Sequence, residues 1–244
     1  MKILVCITHV PDTTSKIAFT DNNTKFDSSG VQYIIGPYDD YALARAVELK
    51  EAHGGSVTVL NVGTAESEPT IRKALAIGAD EAIRVNAEPT DSFFVASQIA
   101  EVAKEGYDLI LMGRESIDFN SGVVHALVGE MLGIVSVSPV MRLEVEGNTA
   151  TMDREIEGGK QTIQIDLPFV AGCQEPIAEW KIPNMRGIMT ARTKPLNVVE
   201  PVGGEKQVRL VDYELPAAKG AVKIVAQEEV NELVKMLQNE AKVL

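Results

Sequence analysis

The chain has 244 residues, 45% of them hydrophobic and 24% charged, which is enough apolar surface for a packed core and argues against global disorder. Its formal net charge of −12 disfavours nonspecific binding to nucleic acid or to an anionic membrane surface, since both would repel it. No stretch reads as a signal peptide, a transit peptide or a transmembrane span, and Cys6 and Cys173 lie in apolar runs where reduced thiols are expected, so the expectation is a cytoplasmic protein without direct membrane insertion.

Taken in chain order, residues 2–8 predict a buried first strand, and residues 9–13 the loop leaving it. Two turn clusters, Asp21 to Thr24 and Asp27 to Gly30, separate short β-like runs, an insertion of small strands where a βαβ unit normally has a helix. Pro37 suits the first turn of the helix that follows. Asp39 and Asp40 favour its positive end, Ala42, Ala46 and Leu49 share one face, and His53-Gly54-Gly55 stops it. Residues 56–62 predict a buried strand, and a helix with Pro69 early in it runs to Ile77-Gly78. Another strand spans residues 81–85, and Thr90 or Asp91 caps a helix reaching about Lys104. Residues 109–112 are an apolar run too short for a helix, a further buried strand that Gly113 ends. A polar loop follows, and Ser121-Gly122 opens an apolar-periodic segment to Leu132.

Short apolar strands alternating with amphipathic helices predict an α/β fold with a parallel, doubly wound, Rossmann-like sheet. Ligands bind such sheets beyond the carboxyl ends of the strands, so the loops after Thr8, Val62 and Met112 belong on one edge. The loop after Met112 runs from a strand to a helix N-terminus, the arrangement of an anion site. An ordinary strand-to-helix connection satisfies the same spacing, because neither a Gly-x-Gly-x-x-Gly motif nor a Walker-type lysine is present.

After Gly133 the pattern changes to a period of two over residues 138–146, 150–156 and 161–165, with turn signals at Gly147-Asn148 and Gly158-Gly159; residues 168–173 predict one more buried strand. A small antiparallel element therefore decorates the parallel sheet. Residues 180–194 have a weak helical pattern and gather Lys181, Arg186, Arg192 and Lys194. Residues 194–221 have no clear period, and residues 228–242 predict a helix with Val230, Leu233, Val234 and Leu237 as its stripe. The expected division is an α/β nucleotide-binding domain over residues 1–193 and an arm over residues 194–244, which either packs on a partner or folds back on its own sheet.

No catalytic set stands out. His9, His53 and His125 lack metal-ligand spacing with cysteines or acids, and neither a Gly-x-Ser-x-Gly elbow nor a redox cysteine pair occurs. His53 reads as structural, and His125 as a surface residue of the pocket helix. Asp118 sits in the loop facing the proposed pocket, placed to orient a ribose, to tie down the loop or simply to face solvent.

The residues resemble the beta subunit of electron-transfer flavoprotein over nearly the whole chain. The most specific piece is Arg154-Glu-Ile-Glu-Gly-Gly-Lys-Gln-Thr-Ile-Gln-Ile-Asp-Leu-Pro168, which looks like the family signature. Lys2-Ile-Leu-Val-Cys-Ile7, the run from Pro37 to Glu48, Ile71-Arg-Lys-Ala-Leu-Ala-Ile-Gly-Ala-Asp80 and Gly113-Arg-Glu-Ser-Ile-Asp118 support it in the same order. The resemblance implies a noncatalytic subunit of a heterodimer. The alpha partner holds the redox FAD, and the beta subunit holds AMP structurally. Electrons pass from flavin dehydrogenases, such as the acyl-CoA dehydrogenases of fatty acid oxidation, to a quinone oxidoreductase. It places the AMP site on Cys6, on Gly36, Pro37, Tyr38 and Asp39, on Val62, and on Gly113, Asp118, Asn120, Ser121, Gly122, Val123 and Val124. Backbone amides and Ser121 would hold the phosphate and Asp118 would order the loop. A dehydrogenase-recognition loop would fall near residues 180–188, with Ile182 or Met185 as apolar anchor and Ile188 beside them, and the arm would embrace the alpha subunit.

The chain departs from the family at Gly36, where Asn is usual, and in the loop after Asp118, which looks shorter and lacks the usual Gln before the phosphate-binding turn; Met152 replaces a small or aliphatic residue of the signature. Two other functions compete. Some relatives bind a second FAD in the beta pocket and split the electron pair of NADH, typically with an Asp-Gly-Asp-Thr loop where this chain has Asp118-Phe-Asn-Ser121. A stand-alone nucleotide-binding domain is the third.

Overall fold

The computed structural model describes residues 1–204 and 206–244. The first apolar run becomes β1 (Lys2–Cys6), ending sooner than the sequence predicts. The segment behind it is not wholly irregular. β2 (His9–Pro11), the small hairpin of β3 (Phe19–Thr20) and β4 (Lys25–Phe26), and β5 (Tyr33–Ile35) fill the insertion, and β2 pairs antiparallel with β5. At the tip of the hairpin Asp21, Asn22 and Asn23 all take left-handed backbone, which short polar side chains tolerate better than bulky ones.

The alternating units follow. They are α1 (Pro37–His53), β6 (Ser56–Val62), α2 (Glu68–Ile77), β7 (Glu81–Val85), α3 (Ser92–Ala103), β8 (Leu109–Gly113) and α4 (Val124–Leu132). Pro37 stands in the first turn of α1, and Asp91 rather than Thr90 caps α3, its carboxylate accepting from the Phe94 amide at 2.8 Å. Then come β9 (Ser136–Glu146), β10 (Thr149–Ile156), β11 (Gly159–Asp166) and β12 (Phe169–Cys173). Gly147 and Gly158 supply the left-handed backbone that the two tight antiparallel turns require.

These strands join in one nine-stranded sheet, ordered β11-β10-β9-β12-β8-β1-β6-β7 with a last edge strand described below. From β12 through β8, β1 and β6 to β7 every neighbour is parallel, and β9, β10 and β11 form the antiparallel extension. The α/β, doubly wound prediction holds, and its cause is visible along β1. Ile3 and Val5 point into one core with Leu43 and Val47 of α1 and Ile71 and Leu75 of α2, while Leu4 and Cys6 point into another with Phe94 and Ile99 of α3 and Val128 of α4. Each aliphatic side chain taken fully out of water there contributes about 1.5–3 kcal/mol before the entropy of ordering is counted.

The tail corrects the sequence reading in two places. The weak helical pattern over residues 180–194 condenses to the short α5 (Met185–Ala191), and the unpatterned stretch after it holds β13 (Leu196–Val199), which pairs parallel with β7 and closes that edge of the sheet. The links are polar. Arg72 donates to the carbonyls of Ala191 (2.8 Å) and Lys194 (2.7 Å), and the Lys194 ammonium donates to those of Leu75 (2.8 Å) and Ala79 (2.5 Å). Lys194 thus puts a cation on the negative end of α2, where free carbonyls would otherwise be buried.

Beyond β13 the chain first runs along its own subunit. Val202 exchanges two hydrogen bonds with the Gln98 side chain, the amides of Gln207 and Val208 donate to Asp91, and Tyr213 stacks on Phe19. The predicted terminal helix is α6 (Val230–Met236), flanked by a 3-10 turn and a π turn, with Val230, Leu233 and Val234 all exposed. Among the described residues no helix is long and apolar enough to cross a membrane.

Candidate functional site

In this strand order β1 leads through α1 to β6 and β7 on one side, and α3 then carries the chain back to β8 on the other side of β1. The carboxyl ends of β1 and β8 therefore form the switch point of the sheet, the place where ligands bind in folds of this class. The ladder between them stops at the pair Cys6 and Met112.

The Asp39 carboxylate accepts from the Gly113 amide (2.8 Å), from the Thr8 amide (2.8 Å) and from the Thr8 hydroxyl (2.6 Å), and the residue is only 3% exposed. Burial pushes its pKa up to about 6, against the pull of those three donors. Two glycines make room. A Cβ built on Gly36 would stand 2.4 Å from the Thr8 hydroxyl and 2.5 Å from the carboxylate, and one on Gly113 would stand 2.6 Å from it. From the sequence, Asp39 is expected at the positive end of α1 and, through the resemblance, in the AMP site; its bonds to Thr8 and Gly113 come only from the fold, and no sequence signal marks Thr8 as a site residue.

The loop from β8 to α4 is ordered by its own side chains. Asp118 accepts from the Ser116 hydroxyl and from the Phe119 amide (2.9 Å), and the Asn120 amide donates to the Ser116 carbonyl (2.8 Å). Asn120 and Gly122 take left-handed backbone, which turns the chain back toward α4. The Ser121 and Ser92 hydroxyls are hydrogen-bonded at 3.0 Å, tying the loop to the start of α3. Arg114 is held over the Tyr38 ring at 5.0 Å and donates to Gln174 (2.8 Å) and Glu115 (3.0 Å).

The helix ends at this edge differ in a way that matters for an anion. The first turn of α3 is occupied by Asp91, and the strand-end amides of Thr8 and Gly113 by Asp39. At the start of α4, Val123 offers no capping side chain and the first turn holds no acid. Its free amides and positive dipole end face the Ser121 loop. A phosphate at that end, with the Ser121 hydroxyl beside it, fits the donors present.

Of the remaining site residues expected from sequence, Cys6 and Val62 end their strands buried, and Pro37 and Tyr38 open α1 beside Gly113. Both cysteines are free and unreactive: burial, then the Asp39 carboxylate, raises the Cys6 thiol far above its usual range and pushes the Cys173 thiol up to about 12. His125 is not a plain surface residue. It is half-buried, hydrogen-bonded to the Ser136 hydroxyl at 3.2 Å, and desolvation lowers its pKa. Ile182, Met185 and Ile188 lie apart from these strand ends, on and before α5, and are exposed by 74%, 73% and 41%. With Trp180 and Met189 they make an apolar surface. No cluster of side chains suited to a metal occurs among the described residues.

Residues 23–202 match the family described as the electron transfer flavoprotein domain. The chain is 34% identical to the electron transfer flavoprotein subunit beta of Bacillus subtilis (strain 168), with 100% of each chain covered. It is 35% identical to the protein of the same name from Syntrophomonas wolfei, covering 100% of this chain and 98% of the relative, and 32% identical to that of Bradyrhizobium diazoefficiens, with 100% of each covered.

Proposed function

The chain belongs to the electron transfer flavoprotein family, among its beta subunits, and on that premise we propose that it is the noncatalytic half of a heterodimeric electron carrier that binds AMP as a structural ligand. The observation that carries the nucleotide reading is the open N-terminus of α4 at the switch point, beside Ser121, while the neighbouring donors are occupied by Asp39 and Asp91. In this reading the AMP phosphate lies on the first amides of α4 and the Ser121 hydroxyl, and the nucleoside extends along the edge lined by Cys6, residues 36–39 and Val62. The phosphate neutralises the helix end and fixes the loop from residue 114 to residue 123. The redox FAD is held mainly by an alpha partner, around which residues 214–244 wrap through the exposed stripe of α6. Electrons arrive from flavin-dependent dehydrogenases, acyl-CoA dehydrogenases among them, that dock at Ile182, Met185 and Ile188, and leave to a quinone oxidoreductase. The subunit works in the cytoplasm.

The test is the cofactor content of the purified heterodimer after denaturation. One FAD and one AMP per heterodimer is the expected result. Two FAD with oxidation of NADH would replace this reading with an electron-splitting one, and a well-folded monomer that takes no alpha partner would remove the subunit role.

A further inference from the structure

Asp39 is a buried carboxylate that accepts from Thr8, in the segment after β1, and from Gly113, the last residue of β8, and among the described residues it makes no ion pair. Holding a charge there costs stability, and a neutral residue would fold more cheaply. The geometry around it shows what the charge does. The Thr8 amide follows β1, the Gly113 amide ends β8, and one carboxylate takes both, at 2.8 Å each. Gly36 and Gly113 are bare because a Cβ on either would collide with this arrangement: the contacts of 2.4 to 2.6 Å are with Asp39 and with the Thr8 hydroxyl bonded to it. The next residue, Arg114, already belongs to the loop that leads to Ser121 and α4, and its amide is bonded to the Cys173 carbonyl of β12.

We propose that Asp39 is the positioning residue of the nucleotide site, a clasp across the ends of β1 and β8 whose buried carboxylate fixes the separation and direction from which the loop to α4 departs. With the clasp closed, Gly113 is held from both sides, by Asp39 and through Arg114 by β12, so the amides of the α4 turn are presented in place before the nucleotide arrives. Without it the Gly113 amide loses the carboxylate that holds it to the segment after β1, and the loop must be ordered by the ligand at the expense of affinity. This inference rests on the AMP reading of the site, and its test separates the two.

The experiment compares the wild-type heterodimer with Asp39→Asn and Thr8→Val, each stripped of nucleotide. AMP affinity is measured by calorimetry, and hydrogen exchange is followed in peptides covering Thr8, Gly113 and, as a control for global stability, β6 and β7. Asparagine keeps the size of Asp39 but offers one acceptor oxygen to two amides; valine removes one of the three donors and keeps the shape of threonine. The expected result is faster exchange at Thr8 or Gly113 with β6 and β7 unchanged, and a Kd for AMP raised about tenfold in Asp39→Asn and about threefold in Thr8→Val. If wild type binds AMP and both variants bind it equally well, the clasp is overturned while the nucleotide reading stands. If wild type binds no AMP, the nucleotide reading and the positioning role fall together. Exchange at Thr8 and Gly113 that stays at the wild-type rate in Asp39→Asn overturns the clasp whatever AMP does.

Discussion

Asp40, the neighbour of the clasp, gives a prediction whose sign depends on pH. It sits in the first turn of α1 with one carboxylate oxygen, Oδ1, buried and without a hydrogen-bond partner. Burial pushes its pKa up to about 6 from an ordinary 3.8, and the distant attraction of Lys73 only partly resists this. A rise of that size corresponds to roughly 3 kcal/mol between the two protonation states. The folded state holds the proton more tightly than the unfolded chain, so the stabilising contribution is fully present below about pH 4 and is lost as pH rises through 6. Asn cannot ionise. Asp40→Asn therefore escapes the cost at neutral pH, but it forgoes the attraction of a carboxylate to the helix N-terminus, worth about 0.3–1 kcal/mol. The net expectation is a gain of roughly 2 kcal/mol at pH 7.5 that disappears by pH 4.5. Urea unfolding at the two pH values, at one fixed protein concentration, reads this directly as a shift in midpoint with an unchanged slope. A variant less stable than wild type at pH 7.5, or one equally stabilised at both pH values, would refute the reasoning, because neither follows from an ionisation penalty.

Three further outcomes follow from the geometry. Ser121→Asp places a carboxylate where the phosphate is proposed to sit, and the AMP recovered from the purified protein should fall to a small fraction of the wild-type amount; full occupancy would put the phosphate elsewhere. Gly113→Ala drives a methyl into the Asp39 carboxylate and the start of α1, and should cost about 1–3 kcal/mol in stability with a parallel loss of nucleotide, read by thermal unfolding and calorimetry. Asp91→Ala removes both the cap of α3 and the acceptor for the Gln207 and Val208 amides; a loss of about 1–2 kcal/mol and faster proteolytic cleavage between residues 202 and 213 are expected, and an unchanged cleavage rate would mean the arm does not depend on that carboxylate.

What the sequence made legible were features whose cause is local. Pro37 followed by two acids marks the start of α1, Asp91 marks that of α3, and the glycines at 147 and 158 mark the antiparallel turns. Buried parallel strands such as β8 announce themselves as short apolar runs between turn signals. What stayed hidden depends on partners far along the chain. Asp39 meets residues 31 and 74 positions away, and the Asp91 carboxylate meets amides 116 and 117 positions away, so neither side chain's second role leaves a mark on its neighbours in sequence. β13 was invisible for another reason. It is a four-residue edge strand whose last three residues are exposed, so nothing forces the alternation that would betray it. In the loop after Asp118 the position of the candidate site was readable from topology, while its free helix end emerged only once the donors around it could be counted as taken.

The fastening of α5 to α2 has a mechanical consequence. Arg72 and Lys194 bind the carbonyls around both helix ends, and Gly187 lies so close to the Ala76 carbonyl that a Cβ there would be 2.2 Å from it. The short helix is thus a stiff platform, while the side chains it turns outward include Met185 and Met189, which are unbranched and readily change shape. A protein settling on that platform orders only a few side-chain tips and no backbone, at about 0.5–1.5 kcal/mol for each side chain stilled. For the proposed docking of a dehydrogenase there, such a surface suits brief encounters, with the same methionines re-posed for differently shaped faces.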